Sequence, residues 1–412
     1  MPNNHLKRRP QEMDRREFMT LVSTGALAGG SLLNSANALG DTSALSPRTS
    51  THGMKYRRLG RTGLMVSEIA MGCSPQGQKT PQPEYFDKLT RIIQMALERG
   101  INLIDTAPTY FSEKVVGAAI KGRRDKVYLA DKAETLDRDK LIQEVEQSLR
   151  ELGTDYIDIL HEHAHYRTPE EIFTKPGFLE ACEKLKKDGK VRFCGLSGHN
   201  VGIHIEAIKT GYFDTFMIPY NYLIRNPEEV LFPLAKKLDV GALVIKPMTG
   251  AFKPWEQMAG DARLDELKLK FNQSNYARAS IKWALANQQV ASLVIGMEFE
   301  RDVIEDTAMS GARMSEEDEK LLALYAGAVG GDYCTMCNKC LPCAEGVAIP
   351  DVLRFMTYHD NYGHRERARR LYTGLPVLNN AARCTDCGEC EPRCPAKISI
   401  VRKLRSAHAT LT

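Results

Sequence analysis

Val127-Tyr128-Leu129-Ala130-Asp131-Lys132, then Arg138–Leu152, then Tyr156-Ile157-Asp158-Ile159-Leu160-His161-Glu162-His163 follow one another in the chain, and their order decides the fold. The first and third segments are short apolar runs that close on charged or imidazole side chains, the pattern of strands covered on both faces. The middle segment repeats Leu141, Val145, Leu149 and Leu152 at helical spacing, and Asp137 stands where a carboxylate can accept the first free backbone N–H groups. Working outward, the same alternation recurs eight times. The expected strands are Glu68–Gly72, Asn102–Thr106, Val127–Lys132, Ile157–His163, Val191–Ser197, Thr215–Tyr220, Ala242–Pro247 and Ser292–Gly296. Regular βα repetition over about 250 residues predicts an α/β protein with a (β/α)8 TIM barrel. An open doubly wound sheet is the rival, but no G-x-G-x-x-G follows the first strand. A barrel of this kind carries its chemistry at the C-terminal strand ends. Those ends read Asp105, Lys132, His163, Ser197, Tyr220 with Asn221, Lys246 and Gly296, mostly polar where each preceding strand is apolar.

Four segments in this order, Arg58-Leu59-Gly60-Arg61-Thr62-Gly63-Leu64, Asp105-Thr106-Ala107-Pro108-Thr109-Tyr110, Leu129-Ala130-Asp131-Lys132 and Tyr156–His163, resemble the aldo/keto reductases. The resemblance covers about residues 55–325 and reaches the helix Ser280–Ala286. It implies Tyr110 as general acid, Lys132 and Asp105 as its activating pair, and His163 as the group that orients a substrate carbonyl. Physical chemistry supports each role. A free tyrosine titrates near ~10 and needs a neighbouring ammonium to exchange a proton at neutral pH. An aspartate holds that ammonium in place, and an imidazole stabilises negative charge as hydride arrives. Singly, Asp105 could be a helix cap, Tyr110 a surface tyrosine and Lys132 a solvated charge; together on successive strand ends they point to one site.

The cofactor positions implied by the resemblance are Ser197, Met217, Lys246, Gly296, Glu298 and Arg301. Ser197 is the serine that contacts a nicotinamide amide, Gly198 stands where asparagine is common, Met217 replaces a glutamine, and Lys246 replaces a small or aromatic residue lying against the nicotinamide ring. Glu298 falls where relatives place a cation for the 2′-phosphate of NADP, so NAD(H) is favoured over NADP(H), with Arg301 as an opposing charge. His161, His163 and His165 alternate along one strand and its exit, and a metal-dependent lyase or hydrolase is the reading they would support.

Eight of the eleven cysteines lie in two runs, Cys334-x2-Cys337-x2-Cys340-x2-Cys343 and Cys384-x2-Cys387-x2-Cys390-x3-Cys394-Pro395. The second is the bacterial ferredoxin pattern, whose fourth cysteine serves the other cluster. Two [4Fe–4S] clusters are expected. The first run closes with x2 and Ala344 follows where proline is usual, which leaves Cys343 the weakest ligand and a single cluster open. A pair of zinc sites is the alternative, although the third C-x2-C step would be superfluous for zinc. Residues 327–412 are expected to form a small, mainly helical ferredoxin-like module, with helices at Ile349–Met356 and Arg365–Tyr372. The second helix is basic (Arg365, Arg367, Arg369, Arg370) and reads either as a docking face for an acidic redox partner or as a solvated face. Cys73, Cys182 and Cys194 read as buried small hydrophobes.

At the N-terminus, Lys7-Arg8-Arg9, then Asp14-Arg15-Arg16-Glu17-Phe18-Met19, a moderately apolar Leu21–Leu33 and Ala36-Asn37-Ala38 resemble a twin-arginine export signal. Such a route carries folded proteins, which suits a cluster assembled before export. The expected organisation is therefore 1–38 signal, 39–53 linker, 54–326 barrel and 327–412 iron–sulfur module, with a periplasmic or otherwise exported location. The formal charge of +4 gives no footing for nucleic acid, and no apolar run of about eighteen residues suggests a permanent membrane span. The function expected is an oxidoreductase that interconverts a small carbonyl and an alcohol, coupled to cluster electron transfer, with a redox partner protein left open. The alternative is an electron-transfer or redox-sensing protein with a non-catalytic barrel.

Overall fold

The computed structural model describes residues 52–74, 82–248, 273–329, 331 and 333–412. The expected signal, residues 1–38, and the linker up to residue 51 lie outside the described residues. Eight parallel strands close on themselves: β3 (Ile69–Gly72), β4 (Leu103–Asp105), β5 (Tyr128–Ala133), β6 (Ile157–His163), β7 (Val191–Ser197), β8 (Thr215–Pro219), β9 (Gly241–Ile245) and β10 (Ser292–Gly296), with β10 paired to both β9 and β3. The (β/α)8 barrel expected from the sequence is the fold observed, and the helix Arg138–Leu152 has the expected bounds, with Asp137 accepting from the Lys140 backbone N–H at 3.0 Å.

Strand pleating sorts the side chains into two cores. Ile69, Met71, Ile104, Leu129, Leu160, Leu196, Phe216 and Val244 pack outward against the helices. Ala70, Leu103, Ala130, Ile159, Met217, Leu243 and Val294 fill the interior. Continuing the inward series two residues further along β4, β5 and β7 brings up Asp105, Lys132 and Ser197. The site residues are the top layer of a filled cylinder, as the period-2 pattern requires.

A hairpin of two three-residue strands, β1 (Tyr56–Arg58) and β2 (Met65–Ser67), closes the opposite end. Leu59, Leu64 and Val66 from it join the interior core. Gly60 has φ +49°, and a Cβ there would lie 2.3 Å from Gly241 N, so the hairpin tip requires glycine to reach the barrel floor. Strands this short give no usable alternation, and the hairpin was not expected from the sequence.

The C-terminal segment packs three helices, Ile349–Asp360, Arg365–Thr373 and Ile400–Leu411, around Val352, Phe355, Tyr372 and Leu404. A small cluster of Tyr276, Ala279, Leu322, Tyr325, Tyr333 and Met336 ties it to the barrel's helices. The helix Glu316–Val329 runs through the expected boundary at 326/327, so the barrel and the segment share an element there. Among the described residues no helix is long and apolar enough to cross a membrane.

Candidate active site

Lys132 Nζ donates to Asp105 Oδ1 at 2.6 Å and to the Thr106 carbonyl oxygen at 2.7 Å. The two side chains are 1% and 5% exposed, so the ion pair sits in a medium where charge is costly unless paired. Burial alone would lower the proton affinity of Lys132, but Asp105 and Tyr110 reverse this and hold the ammonium above its ordinary range. Burial pushes the Asp105 carboxyl up, and the neighbouring ammonium offsets part of that rise.

Tyr110 ends a short 3-10 turn, Pro108–Tyr110, that follows β4 and begins with proline at its first position. Its ring lies 4.7 Å from Lys132 Nζ and 5.8 Å from the His163 ring in an edge-on arrangement. Burial raises the Tyr110 phenol above its ordinary range, and Lys132 offsets this only in part. The resting group is therefore a protonated phenol, suited to donate. Desolvation is the larger effect on this phenol, and Lys132 is placed to steady the phenolate once the proton has left.

The structure adds a member that no motif announced. Glu134, just past β5, accepts from Thr109 Oγ1 at 2.7 Å and lies 2.8 Å from His163 Nδ1. Burial pulls its carboxyl upward, but the bond to His163 prevails and holds it below the usual range. A carboxylate can only accept, so Nδ1 carries a proton and the imidazole ring is fixed in orientation.

The three alternating histidines do not converge. His161 is buried inside the barrel, 3.1 Å from Thr215 Oγ1, and burial holds it neutral, well below the usual imidazole range. Gly195 makes room for it, since a Cβ there would lie 2.5 Å from the His161 ring. His163 turns to Glu134 and His165 to Glu162. Three histidines with three different partners do not make the metal site of a lyase or hydrolase.

The cofactor positions scatter. Ser197 is buried at the inward end of β7, and Gly296 ends β10. Met217 is 1% exposed and belongs to the barrel's interior core on the inward face of β8. Glu298, with Gly296, Gly72, Cys73, Tyr85 and Lys88, lines a narrow cavity, and burial raises its carboxyl despite Lys88. Arg301 is 75% exposed, lies over the Phe299 ring at 5.1 Å and 3.6 Å from Asp302, and does not line that cavity. Lys246 stands in left-handed backbone conformation with φ +56°, its carbonyl accepting from Asn221 Nδ2 at 3.0 Å. Its Nζ lies 3.0 Å from His199 Nε2 and donates to Tyr358 Oη of the C-terminal segment at 2.8 Å.

None of the eight clustered cysteines is joined in a disulfide. Burial pushes Cys334 and Cys340 up to about 12, with neighbouring thiols adding to the rise. For Cys334 those neighbours are Cys337 and Cys394; Cys343, in turn, acts on Cys384. Both loops also carry left-handed residues at the same two places, Met336 and Asn338 in one, Asp386 and Gly388 in the other. Among the described residues no three His, Cys, Asp or Glu side chains converge as ligands of a single ion.

The aldo/keto reductase family profile matches residues 68–322. The uncharacterized oxidoreductase YqkF of Bacillus subtilis (strain 168) is 28% identical over 299 residues, 65% of this chain and 94% of its own length. The NADH-specific methylglyoxal reductase of Escherichia coli (strain K12) is 26% identical over 326 residues, 67% of this chain and 99% of its own. In three dimensions, the holo form of the aldo-keto reductase AKR11C1 from Bacillus halodurans is similar with a TM-score of 0.56 and 29% identity, over 67% of this chain and 97% of that one. The matched span exceeds half of the sequence and contains Asp105, Tyr110, Lys132 and His163, and on that footing the protein belongs to the aldo/keto reductase family and is an oxidoreductase.

Proposed function

We propose that the protein is an exported enzyme that interconverts a small carbonyl and an alcohol with a nicotinamide cofactor, and that its C-terminal segment couples this to two [4Fe–4S] clusters. The carrying observation is the grouping of Tyr110, Lys132, Asp105 and His163 at one end of the barrel. A reduced nicotinamide, when bound, supplies the hydride. Tyr110 gives its proton to the oxygen as negative charge develops there, and the Lys132 ammonium steadies the phenolate left behind. Asp105 keeps that ammonium charged, while Glu134 fixes the imidazole of His163 beside the carbonyl. In the reverse direction the same groups accept the alcohol proton.

The half-buried carboxyl of Glu298 suits a ribose hydroxyl and opposes a phosphate, which supports NAD(H). The relative from Escherichia coli, NADH-specific by name, points the same way. In this reading Cys334, Cys337, Cys340 and Cys394 would hold one cluster and Cys384, Cys387, Cys390 and Cys343 the other, which the influence of Cys394 on Cys334 and of Cys343 on Cys384 supports. This crossing of the fourth ligand is the ferredoxin arrangement. A cubane's four thiolates each take a different iron, so they need not converge as ligands of one ion do. When bound, the clusters supply one-electron transfer, and two of them match the two electrons of a hydride. The twin-arginine segment supports export, and a cofactor that cannot be recycled outside would have to travel bound.

Anaerobically purified full-length protein should contain about eight irons per chain. Cys394→Ser and Cys343→Ser should each lower this to about four. A colourless preparation carrying zinc would remove the clusters from the account. Tyr110→Phe should abolish carbonyl turnover without changing the iron content; undiminished turnover would favour the non-catalytic reading of the barrel.

A further inference from the structure

The C-terminal segment places a set of cations over the barrel mouth that the chemistry above does not use. Lys246 Nζ contacts His199 and Tyr358, neither of them a carboxylate. Arg354 Nη1 donates to Tyr358 Oη at 3.2 Å and pairs with Asp351 at 2.5 Å. The Arg367 guanidinium lies 5.4 Å from the Tyr358 ring and makes no ion pair among the described residues. The carboxylates nearby are committed, Asp105 to Lys132 and Glu134 to His163. A narrow cleft lies here, lined by Lys246, Arg354, Tyr358 and Tyr362 and by Cys334 and Met336 of the first cysteine run, with Arg367 at Tyr358 beside it.

Half-buried cations that lack a carboxylate are costly, and proteins retain them where an anion arrives. The strained backbone of Lys246 belongs to the same account, since such conformations gather at ligand clamps. Lys246 directly follows β9, at the same end of the barrel as Asp105, Lys132 and His163. Arg367 acts on the Tyr110 hydroxyl, and His163 and Lys246 both act on His199, whose ring burial holds neutral.

We propose that Lys246 of the barrel and Arg367 of the C-terminal segment together receive a carboxylate carried by the carbonyl substrate, so that the enzyme acts on small oxo or hydroxy acids. The inference rests on the catalytic reading of Tyr110. The substrate's acid group lies toward the C-terminal segment and its carbonyl toward Tyr110 and His163. The segment thereby takes part in substrate choice as well as holding the cysteines.

The test is calorimetric binding to the full-length holoprotein of matched acid and neutral probes: pyruvate against butanedione, and glucuronate against glucose. The acid of each pair should bind at least about tenfold more tightly, the range of one charge-assisted hydrogen bond. Arg367→Gln and Lys246→Met should bring that ratio close to one. Arg367→Lys keeps the charge and should preserve most of it, and the exposed Arg370→Gln should leave it unchanged. Tyr110→Phe should keep the acid preference while turnover is lost, which separates failure of the binding site from failure of the catalytic assignment. NADH and NADPH are titrated in parallel. Weaker nucleotide binding in Arg367→Gln with an intact acid preference would assign the cations to a cofactor phosphate and overturn the proposal, as would equal binding of acid and neutral probes.

Discussion

Replacing Lys132 by methionine tests the site and its energetics at once. The substitution keeps length and removes the charge, leaving the Asp105 carboxyl buried beside a thioether. Removing one partner of a buried pair costs about 3–5 kcal/mol. At about 2–4 °C per kcal/mol, the melting temperature should fall by roughly 6–20 °C. Burial already raises Asp105, and without Lys132 only the smaller effect of His163 offsets that rise. The folded protein then binds a proton that the unfolded chain releases near 3.8. Stability must therefore fall as pH rises between that value and the higher folded one, so Lys132→Met should be better folded in mild acid than in mild base. The double variant Asp105→Asn/Lys132→Met carries no buried charge and should recover most of the lost melting temperature. Neither variant should recover turnover, because the phenol of Tyr110 lacks its ammonium; the expected loss in kcat/KM is about 10²–10⁴. Calorimetric melts at two pH values, with steady-state reduction of a small aldehyde, read both quantities. A double variant as unstable as the sum of its parts would refute the coupling. Turnover near the parent value in Lys132→Met would refute the catalytic role.

Glu134→Ala should lower kcat by about tenfold with a smaller change in KM, because the His163 ring loses its anchor while the pocket keeps its shape. An unchanged kcat would return Glu134 to a structural role. The folded Glu134 carboxyl lies below 4.5, so its contribution to stability is present above that value and is lost as pH falls through the lower native one. Burial raises the Tyr358 phenol, but Lys246, Arg354 and Arg367 outweigh it and bring it down to about 7. A tyrosinate ultraviolet band should therefore grow through neutral pH and be absent from Tyr358→Phe. A band that grows only above about 10 in both proteins would show that the three cations do not act on this hydroxyl.

How much of this was legible in the sequence follows from the range of each interaction. Strand positions were readable because each strand is buried on both faces, so its apolar run is continuous and its boundary is marked by the first polar side chain. Asp105, Lys132 and His163 were readable for the same reason: they are the places where the inward series changes chemistry. Met217 shows where that logic needed one more step. It lies on the inward face of β8, and its apolar side chain is absorbed into the core below the mouth. Glu134 gave no signal, because its role depends on Thr109, past the end of β4, and His163, at the end of β6, each meeting it from either side of β5.

The basic helix is the instructive intermediate case. A solvated face was the plainer reading of its four arginines, and it describes Arg365, Arg369 and Arg370, which are exposed. Arg367 departs from them through the docking of the segment. It turns over Tyr358, which meets Lys246 from a position 112 residues earlier in the chain. The resemblance identified Lys246 as a departure from an aromatic or small residue without saying why. The structure supplies the reason: an ammonium at this strand end holds the hydroxyl of Tyr358. The lysine and the cysteine-bearing segment are thus one feature of the protein, and a chain lacking residues 333–412 would leave Lys246 without the Tyr358 contact. Deleting the segment should then change the barrel's own substrate binding, which two independent domains joined by a tether would not do.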